Sequence, residues 1–318
     1  MRESTFPAMG STAHVLVVGG PDDLLERAAA RIEELESRWS RFRPDSEVSR
    51  LNAAPAGRPV AVTADTQLLV ERALEGHAVT GGAFDPSLLA QLVDAGYGAS
   101  LVDDLASGGP VVRTITDPTP VGHGDLSLEF VVDRDAGTVT RTSALQFDPG
   151  GLGKGLAADL VVDDLMAAGA DGALVNLGGD LRATGAGPDG GSWHVEVEDP
   201  RDGSTLAVVS LDDGALATSS RLRRRWTDAQ GNEAHHLLDP STGRAAATST
   251  AGATVVARYG WQAEVLAKAA FLDEVGPGDV FTLVEQLGAA ALVVTEGMVL
   301  PTARWADFVV EPPPGPTS

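Results

Sequence analysis

The sequence predicts an α+β fold with helices packed on largely antiparallel sheets. Three observations carry this expectation. Apolar residues recur at helical spacing near the start, where Leu24, Ala28, Ile32, Leu35 and Trp39 fall on one face of a segment from Asp22 to Arg41. Alternating stretches crowd the second half, at Trp193 to Val197, Thr205 to Leu211, Ala215 to Thr218, Leu222 to Thr227 and Thr254 to Ala257, with no helical pattern between them. Hydrophobic residues make up 43% of the 318, ample for a core, and no linker divides the chain, so one intertwined domain over residues 1–310 is expected.

The remaining elements follow in order. Ala13 to Val18 suits a first strand, Thr63 can cap a second helix carrying Leu68, Leu69, Ala73 and Val79, and a third helix is expected from Pro86 to Asp94. Residues 98–125 are rich in Gly, Asp, Pro and Ser and read as irregular, with one short strand at Val111 to Ile115. Phe130 to Asp133 and Thr138 to Thr142 flank Ala136-Gly137 as a hairpin. A helix from Leu156 to Ala168 and a strand from Ala173 to Leu177 come next. Helices return at Trp261 to Leu272 and Gly278 to Leu287, followed by a last apolar strand at Ala291 to Val294. The proline-rich tail from Glu311 to Ser318 is expected to be disordered.

Composition removes several function classes. A net charge of −22 cannot supply the basic footprint that a polyanion demands, so no nucleic-acid partner is expected. No apolar run approaches the ~20 residues that cross a bilayer, and the first residues lack the order of a signal peptide, so no membrane insertion and a cytoplasmic location are expected. With no cysteine there is no thiolate nucleophile, disulfide or iron–sulfur cluster. The one dense basic cluster, Arg221, Arg223, Arg224 and Arg225 before Trp226, suits either a solvated strand face or a ligand contact.

The most informative stretch runs from Phe147 to Asp180. Gly150, Gly151, Gly153 and Gly155 leave the backbone bare around Lys154, and a helix starting there aims unpaired N–H groups and its positive dipole end at the turn. That suits a phosphate, or simply a tight turn into a buried helix. A standard P-loop is excluded, because Asp148 and Gly155 stand where a glycine and a hydroxyl residue are needed, and the dinucleotide G-x-G-x-x-G spacing is missing. A second signal, HHLLDPSTG from His235 to Gly243, puts an imidazole and a carboxylate at a sheet edge, where a base needs access to substrate. Adjacent strand residues face opposite ways, so one of His235 and His236 can serve and the other is structural or exposed.

Taken in order, MGST near the start, SRFRPDSEVSRLN at Ser40 to Asn52, FDP at Phe84 to Pro86, the glycine turn, NLGGD at Asn176 to Asp180, ALATSS at Ala215 to Ser220 and HHLLDPSTG resemble the ApbE family of FAD:protein FMN transferases. The resemblance implies two similar α/β halves with a ligand cleft between them. It also implies FAD as substrate, Mg²⁺ at its pyrophosphate, and transfer of the FMN half through a phosphoester bond to a Ser or Thr hydroxyl of an acceptor protein, with AMP leaving. Matched by position, Met9, Phe42, Ala83, Phe84, Asp85, Asp148, Lys154, Leu237 and Asp239 would bind the cofactor. His236 would be catalytic, aided by Lys154, and the Gly151 carbonyl and Glu264 would reach the metal.

The pattern breaks at the metal. The family places an Asp and, four residues on, a Thr on a late helix, whereas this chain has Glu264 and Lys268, and a charged ammonium has no lone pair to give. Mg²⁺ held by fewer protein ligands, a lysine charge in the ion's place, and a non-catalytic FAD-binding protein are all compatible with this, as is an ordinary i,i+4 ion pair. FAD pyrophosphatase activity, with water as acceptor, is a further alternative. Ala251-Gly252-Ala253-Thr254 resembles a flavin-acceptor core, but it runs into an apolar strand pattern that would bury Thr254.

Overall fold

The structure is a computed structural model that describes residues 1–100, 111–119, 125–222, 224–227, 231–273 and 279–310. The tail expected at 311–318, Arg223 of the basic cluster and Gly278 of the last helix lie outside the described residues. Two strands, β1 (Arg2–Ala8) and β2 (Ser11–Val18), pair around Met9 and Gly10, which both take positive φ as a two-residue hairpin turn requires. The sequence reading missed β1 because Pro7 argues against a strand; β1 is a sheet edge, where a missing N–H costs no ladder bond.

Helix α1 (Leu24–Trp39) buries all five residues of its expected face. Next come α2 (Glu47–Ala53), strand β3 (Pro59–Ala61) and α3 (Ala64–Val79). Thr63 precedes α3 as expected, but its hydroxyl donates to Glu47 instead of capping the helix. Helix α4 (Leu89–Asp94) starts later than the sequence suggested, because Asp85 accepts bonds from the Ser87 N–H and hydroxyl and holds that stretch as a turn. A short α5 (Leu126–Glu129) leads into β4 (Phe130–Asp133), which pairs with β5 (Thr138–Arg141) as the expected hairpin. The strand expected at Val111 to Ile115 reduces to a single bridge between Val112 and Thr227.

Helix α6 (Gly153–Ala167) begins inside the glycine turn, ahead of the expected Leu156. It is followed by β6 (Gly172–Leu177) and β7 (Asp180–Gly185), joined through Gly178 and Gly179, both at positive φ. Strands β8 (Trp193–Glu198), β9 (Thr205–Leu211), β10 (Asp213–Ser220), β11 (Arg225–Thr227), β12 (Glu233–His235), β13 (Leu238–Asp239), β14 (Arg244–Ala245) and β15 (Thr250–Ala257) come next. The chain closes with α7 (Gly260–Leu272), α8 (Asp279–Gln286), β16 (Ala290–Thr295), β17 (Val299–Pro301) and β18 (Val309–Val310).

One eight-stranded antiparallel sheet in the order β1-β2-β6-β7-β10-β15-β16-β17 organises the molecule. Strand alternation sends Ala173, Val175 and Leu177 to the face covered by α1 and α6, and Ala253 and Val255 to the face covered by α7. Two separate apolar clusters under these helices mark the two expected halves. Leu174, Leu216 and Val256 point the other way, against the small sheet β18-β9-β8 with Trp193 and Trp305. Thr254 is buried within β15. Among the described residues, no helix is long and apolar enough to cross a membrane.

The halves meet where α6 crosses α7 at backbone distance. A Cβ on Gly155 would stand 2.2 Å from the Gly260 carbonyl oxygen, and one on Gly260 would stand 2.4 Å from that of Gly155. Each helix also supplies a carboxylate to the other's N-terminus. Asp159 on α6 accepts the Gly260 and Trp261 N–H groups at 2.6 and 3.1 Å, and Glu264 on α7 accepts the Gly155 N–H at 2.8 Å. Gly155→Ala is therefore expected to lower unfolding free energy by about 1–3 kcal/mol, as overpacking against fixed backbone does. Gly153→Ala serves as control, since its Cβ would meet Pro149 at an ordinary 3.5 Å. Urea titration of both variants checks this; equal midpoints would show that the crossing has slack.

Candidate functional site

The glycine turn is fixed from both sides before α6 begins. The Asn52 side chain donates to the Phe147 carbonyl and accepts its N–H, both at 2.8 Å, and the Asp148 N–H bonds to the Pro86 carbonyl at 2.7 Å. Asn52 itself is held through Arg141, a buried guanidinium that donates to the carbonyls of Asn52, Ala54, Ser143 and Leu145. Asp148 faces Arg41 across 3.4 Å, and Arg41 in turn donates to the Tyr97 carbonyl and lies over the Phe42 and Tyr97 rings.

This turn forms one wall of a cleft of about 580 Å³, a size typical of small-molecule sites. Of the residues singled out in the sequence, Met9, Phe42, Asp148, Gly151, Lys154, His236, Leu237 and Glu264 line it, with Lys268. Ala83, Phe84, Asp85 and Asp239 do not. Phe84 is fully buried below the cleft, its ring centroid 5.6 Å from the Lys268 ammonium. Asp85 and Asp239 each spend a carboxylate oxygen on a local turn, to Ser87 and to Ser241 at 2.8 Å. Arg41, Tyr97, Asp180 and Arg224 also line the cleft. Arg41 and Asp180 stand inside the motifs without an assigned role, Arg224 belongs to the basic cluster for which a ligand contact is one reading, and Tyr97 carries no sequence signal.

Lys154 sits in the first turn of α6, its ammonium in contact with the Asp180 carboxylate and 3.8 Å from Glu264. Burial pushes its pKa down from 10.5 to about 8, with Glu264 opposing and Arg224 and Lys268 adding to the fall. His236 is displaced further from its ordinary range. Burial first, then the charges of Arg224 and Lys268, hold its pKa well below 6.5, so the ring is neutral near pH 7. Its Nδ1 is buried without a hydrogen-bond partner among the described residues. His235 points away, its Nε2 3.3 Å from the Ala246 carbonyl and its ring edge-on to Phe271. The alternation expected for the pair thus puts His236 on the cleft.

Lys268, one turn beyond Glu264 on α7, donates to the Gly150 carbonyl at 3.1 Å. It approaches the turn so closely that a Cβ on Gly151, whose φ is 88°, would lie 2.0 Å from its Nζ. Of the two expected metal donors, Glu264 is engaged, and the Gly151 backbone lies beside the Lys268 ammonium, which bonds the neighbouring Gly150 carbonyl. Glu264 caps α6 and faces Lys154, Asp180 holds Lys154, Asp148 faces Arg41, and a lysine occupies the carbonyl side of the turn. Among the described residues no group of three or more His, Asp or Glu could hold a metal ion. Mg²⁺ demands near-octahedral oxygen coordination, and this donor set does not fit it.

Comparison with known proteins agrees with the motifs and the fold. The model of the ApbE family matches residues 9–293. The chain is 27% identical over 269 residues to the FAD:protein FMN transferase of Vibrio cholerae, covering 82% of this chain and 78% of that one. It is 30% identical over 260 residues to the FAD:protein FMN transferase of Treponema pallidum, covering 78% and 70%. Its fold is similar to the crystal structure of Pseudomonas stutzeri flavinyl transferase ApbE in its apo form, with a TM-score of 0.78 and 29% identity over 96% of each chain. A match that runs from the turn of the first hairpin into β16, on a fold shared along nearly the whole length, makes this chain a member of the ApbE family.

Proposed function

We propose that this protein transfers the FMN half of FAD to a Ser or Thr hydroxyl of an acceptor protein, releasing AMP. The observation that carries the reading is the pairing, in one cleft, of a neutral imidazole, its buried Nδ1 without a hydrogen-bond partner among the described residues, with ammonium groups around a glycine turn at a helix N-terminus. A pyrophosphate needs the cations and a hydroxyl nucleophile needs the base.

In the reaction, the acceptor oxygen forms a bond to the FMN phosphorus while the bond from that phosphorus to the bridging oxygen breaks. AMP departs with the electron pair, and the hydroxyl proton passes to His236. Lys154 and the positive end of α6 neutralise phosphate charge. Met9, Phe42 and Leu237 provide apolar surface for the flavin, and Asp148, fixed by Arg41, offers a carboxylate to polar edges of the cofactor. Ala83, Phe84, Asp85 and Asp239 stand outside the cleft lining, where the Phe84 ring lies 5.6 Å from the Lys268 ammonium and the two aspartates each hold a local turn.

Incubation with FAD and a Ser- or Thr-bearing acceptor domain should give AMP and acid-stable flavin fluorescence on the acceptor in equal amounts. His236→Ala should slow this by ~10²–10⁴ while leaving FAD binding in place. AMP without labelled acceptor would replace transfer by hydrolysis. The pH profile follows from the two shifted groups. His236 is a free base above 6.5, so the acid limb of kcat/KM lies below pH 6.5. Lys154 carries its charge only below about 8, so kcat/KM for FAD falls as pH rises through about 8. Lys154→Arg, whose charge persists, should remove the upper limb and leave the lower one unmoved. An unchanged upper limb would detach it from Lys154.

A further inference from the structure

We propose that the ammonium of Lys268 takes the place of a divalent cation at the FAD pyrophosphate, so that this protein binds and cleaves FAD without Mg²⁺. The proposal rests on the transferase reading of the cleft and assigns that site its cation. Its first support is position. Lys268 Nζ is tied to the Gly150 carbonyl at 3.1 Å, beside the bare backbone of Gly151, where the turn lines the cleft. The Phe84 ring, 5.6 Å away, supports the ammonium from the buried side.

Its second support is availability. Glu264 stands four residues earlier on the same helix, yet Lys268 makes no ion pair within 4 Å among the described residues. Glu264 is committed elsewhere, with one oxygen on the Gly155 N–H and the other facing Lys154. The ordinary helix ion pair is therefore not formed. An ammonium has three donors, of which the Gly150 carbonyl takes one, and two remain for phosphate oxygens. Burial lowers the pKa of Lys268 from its ordinary value, and the negative charges of Asp148, Glu264 and Asp85 oppose that fall.

Its third support is charge. A pyrophosphate diester carries two negative charges, which one divalent ion would match. Lys154 and Lys268 supply two positive charges to the same cleft from opposite walls, one on α6 and one on α7. The carboxylates beside the two lysines each have a protein partner, Asp148 in Arg41, Asp180 in Lys154 and Glu264 in the Gly155 N–H.

The test is FAD binding to the full chain, followed by flavin fluorescence in EDTA and in millimolar MgCl₂, with AMP release measured in the same two buffers. Wild-type affinity and AMP release should agree between buffers within about twofold. Lys268→Met should weaken FAD binding at least tenfold in EDTA, as loss of charge-assisted phosphate bonds does, and Lys268→Arg should retain it. Wild-type binding or AMP release that rises tenfold or more with MgCl₂ would overturn the proposal and leave the transferase reading standing. So would Lys268→Met binding FAD as tightly as wild type. No wild-type FAD binding in either buffer would remove the transferase reading itself. The wild-type comparison needs no variant, so a poorly folded Lys268→Met does not block the decision.

Discussion

The contact on which the rest of the structure depends is the crossing of α6 and α7 at Gly155 and Gly260. Two helices meeting without side chains between them leave their N-terminal N–H groups inside the protein, where each unpaired donor would cost ~1–3 kcal/mol. The chain solves this by exchange: Asp159 caps α7 and Glu264 caps α6. Burial raises the pKa of Asp159 to about 7, opposed by the Gly260 and Trp261 N–H groups, so the crossing is held by these hydrogen bonds as well as by fit. The arrangement has a chemical consequence. Glu264, which sequence alone offers as a metal ligand, is spent on architecture, and the same crossing carries Lys154 and Lys268 to opposite walls of one cleft.

A second constraint sets the other end of the glycine turn. Arg141 is buried and finds no carboxylate among the described residues; its guanidinium instead gathers carbonyls from the end of α2 and from the segment after β5. This is a geometry that a planar five-donor fork can satisfy and a lysine cannot. It fixes Asn52, whose amide grips Phe147 at both backbone groups. The turn is thus held by side chains that do not line the cleft. Such preorganisation matters for an anion site, because backbone fixed in advance adds no ordering cost at binding.

Much of this was legible in the sequence, and the failures have particular causes. The apolar face of α1, the hairpin of β4 and β5, and the strand run of the second half follow from periodicity, which local side-chain order alone determines. β1 was hidden by Pro7, whose edge position only the sheet order reveals. The α6 start was misplaced because glycines read as loop, while the reason for Gly155 is a contact about a hundred residues away at Gly260. At the site, strand alternation alone leaves His235 and His236 open and the family resemblance selects His236; the end of β12 places His236 on the cleft and His235 against the Ala246 carbonyl. Asp85 and Asp239 show the reverse case: Asp-Pro segments whose carboxylates build turns behind the cleft.

The acidity of the chain and the anionic character of the proposed ligand are compatible for a reason of range. At physiological salt, charges more than ~8 Å away through solvent are largely screened, so most of the surface acids do not act on a phosphate inside the cleft. What acts is the local set, in which Arg41, Lys154, Arg224 and Lys268 face Asp148, Asp180 and Glu264. Those carboxylates hold the cations in place and lower their electrostatic cost while the site is empty; an entering pyrophosphate then shares cations already gathered. A site built this way depends on lysines staying charged while desolvated. That is why burial lowers the pKa values of Lys154 and Lys268 yet the carboxylates around them are conspicuously close, and why removing any one of these acids alters the cation it holds before it alters the ligand.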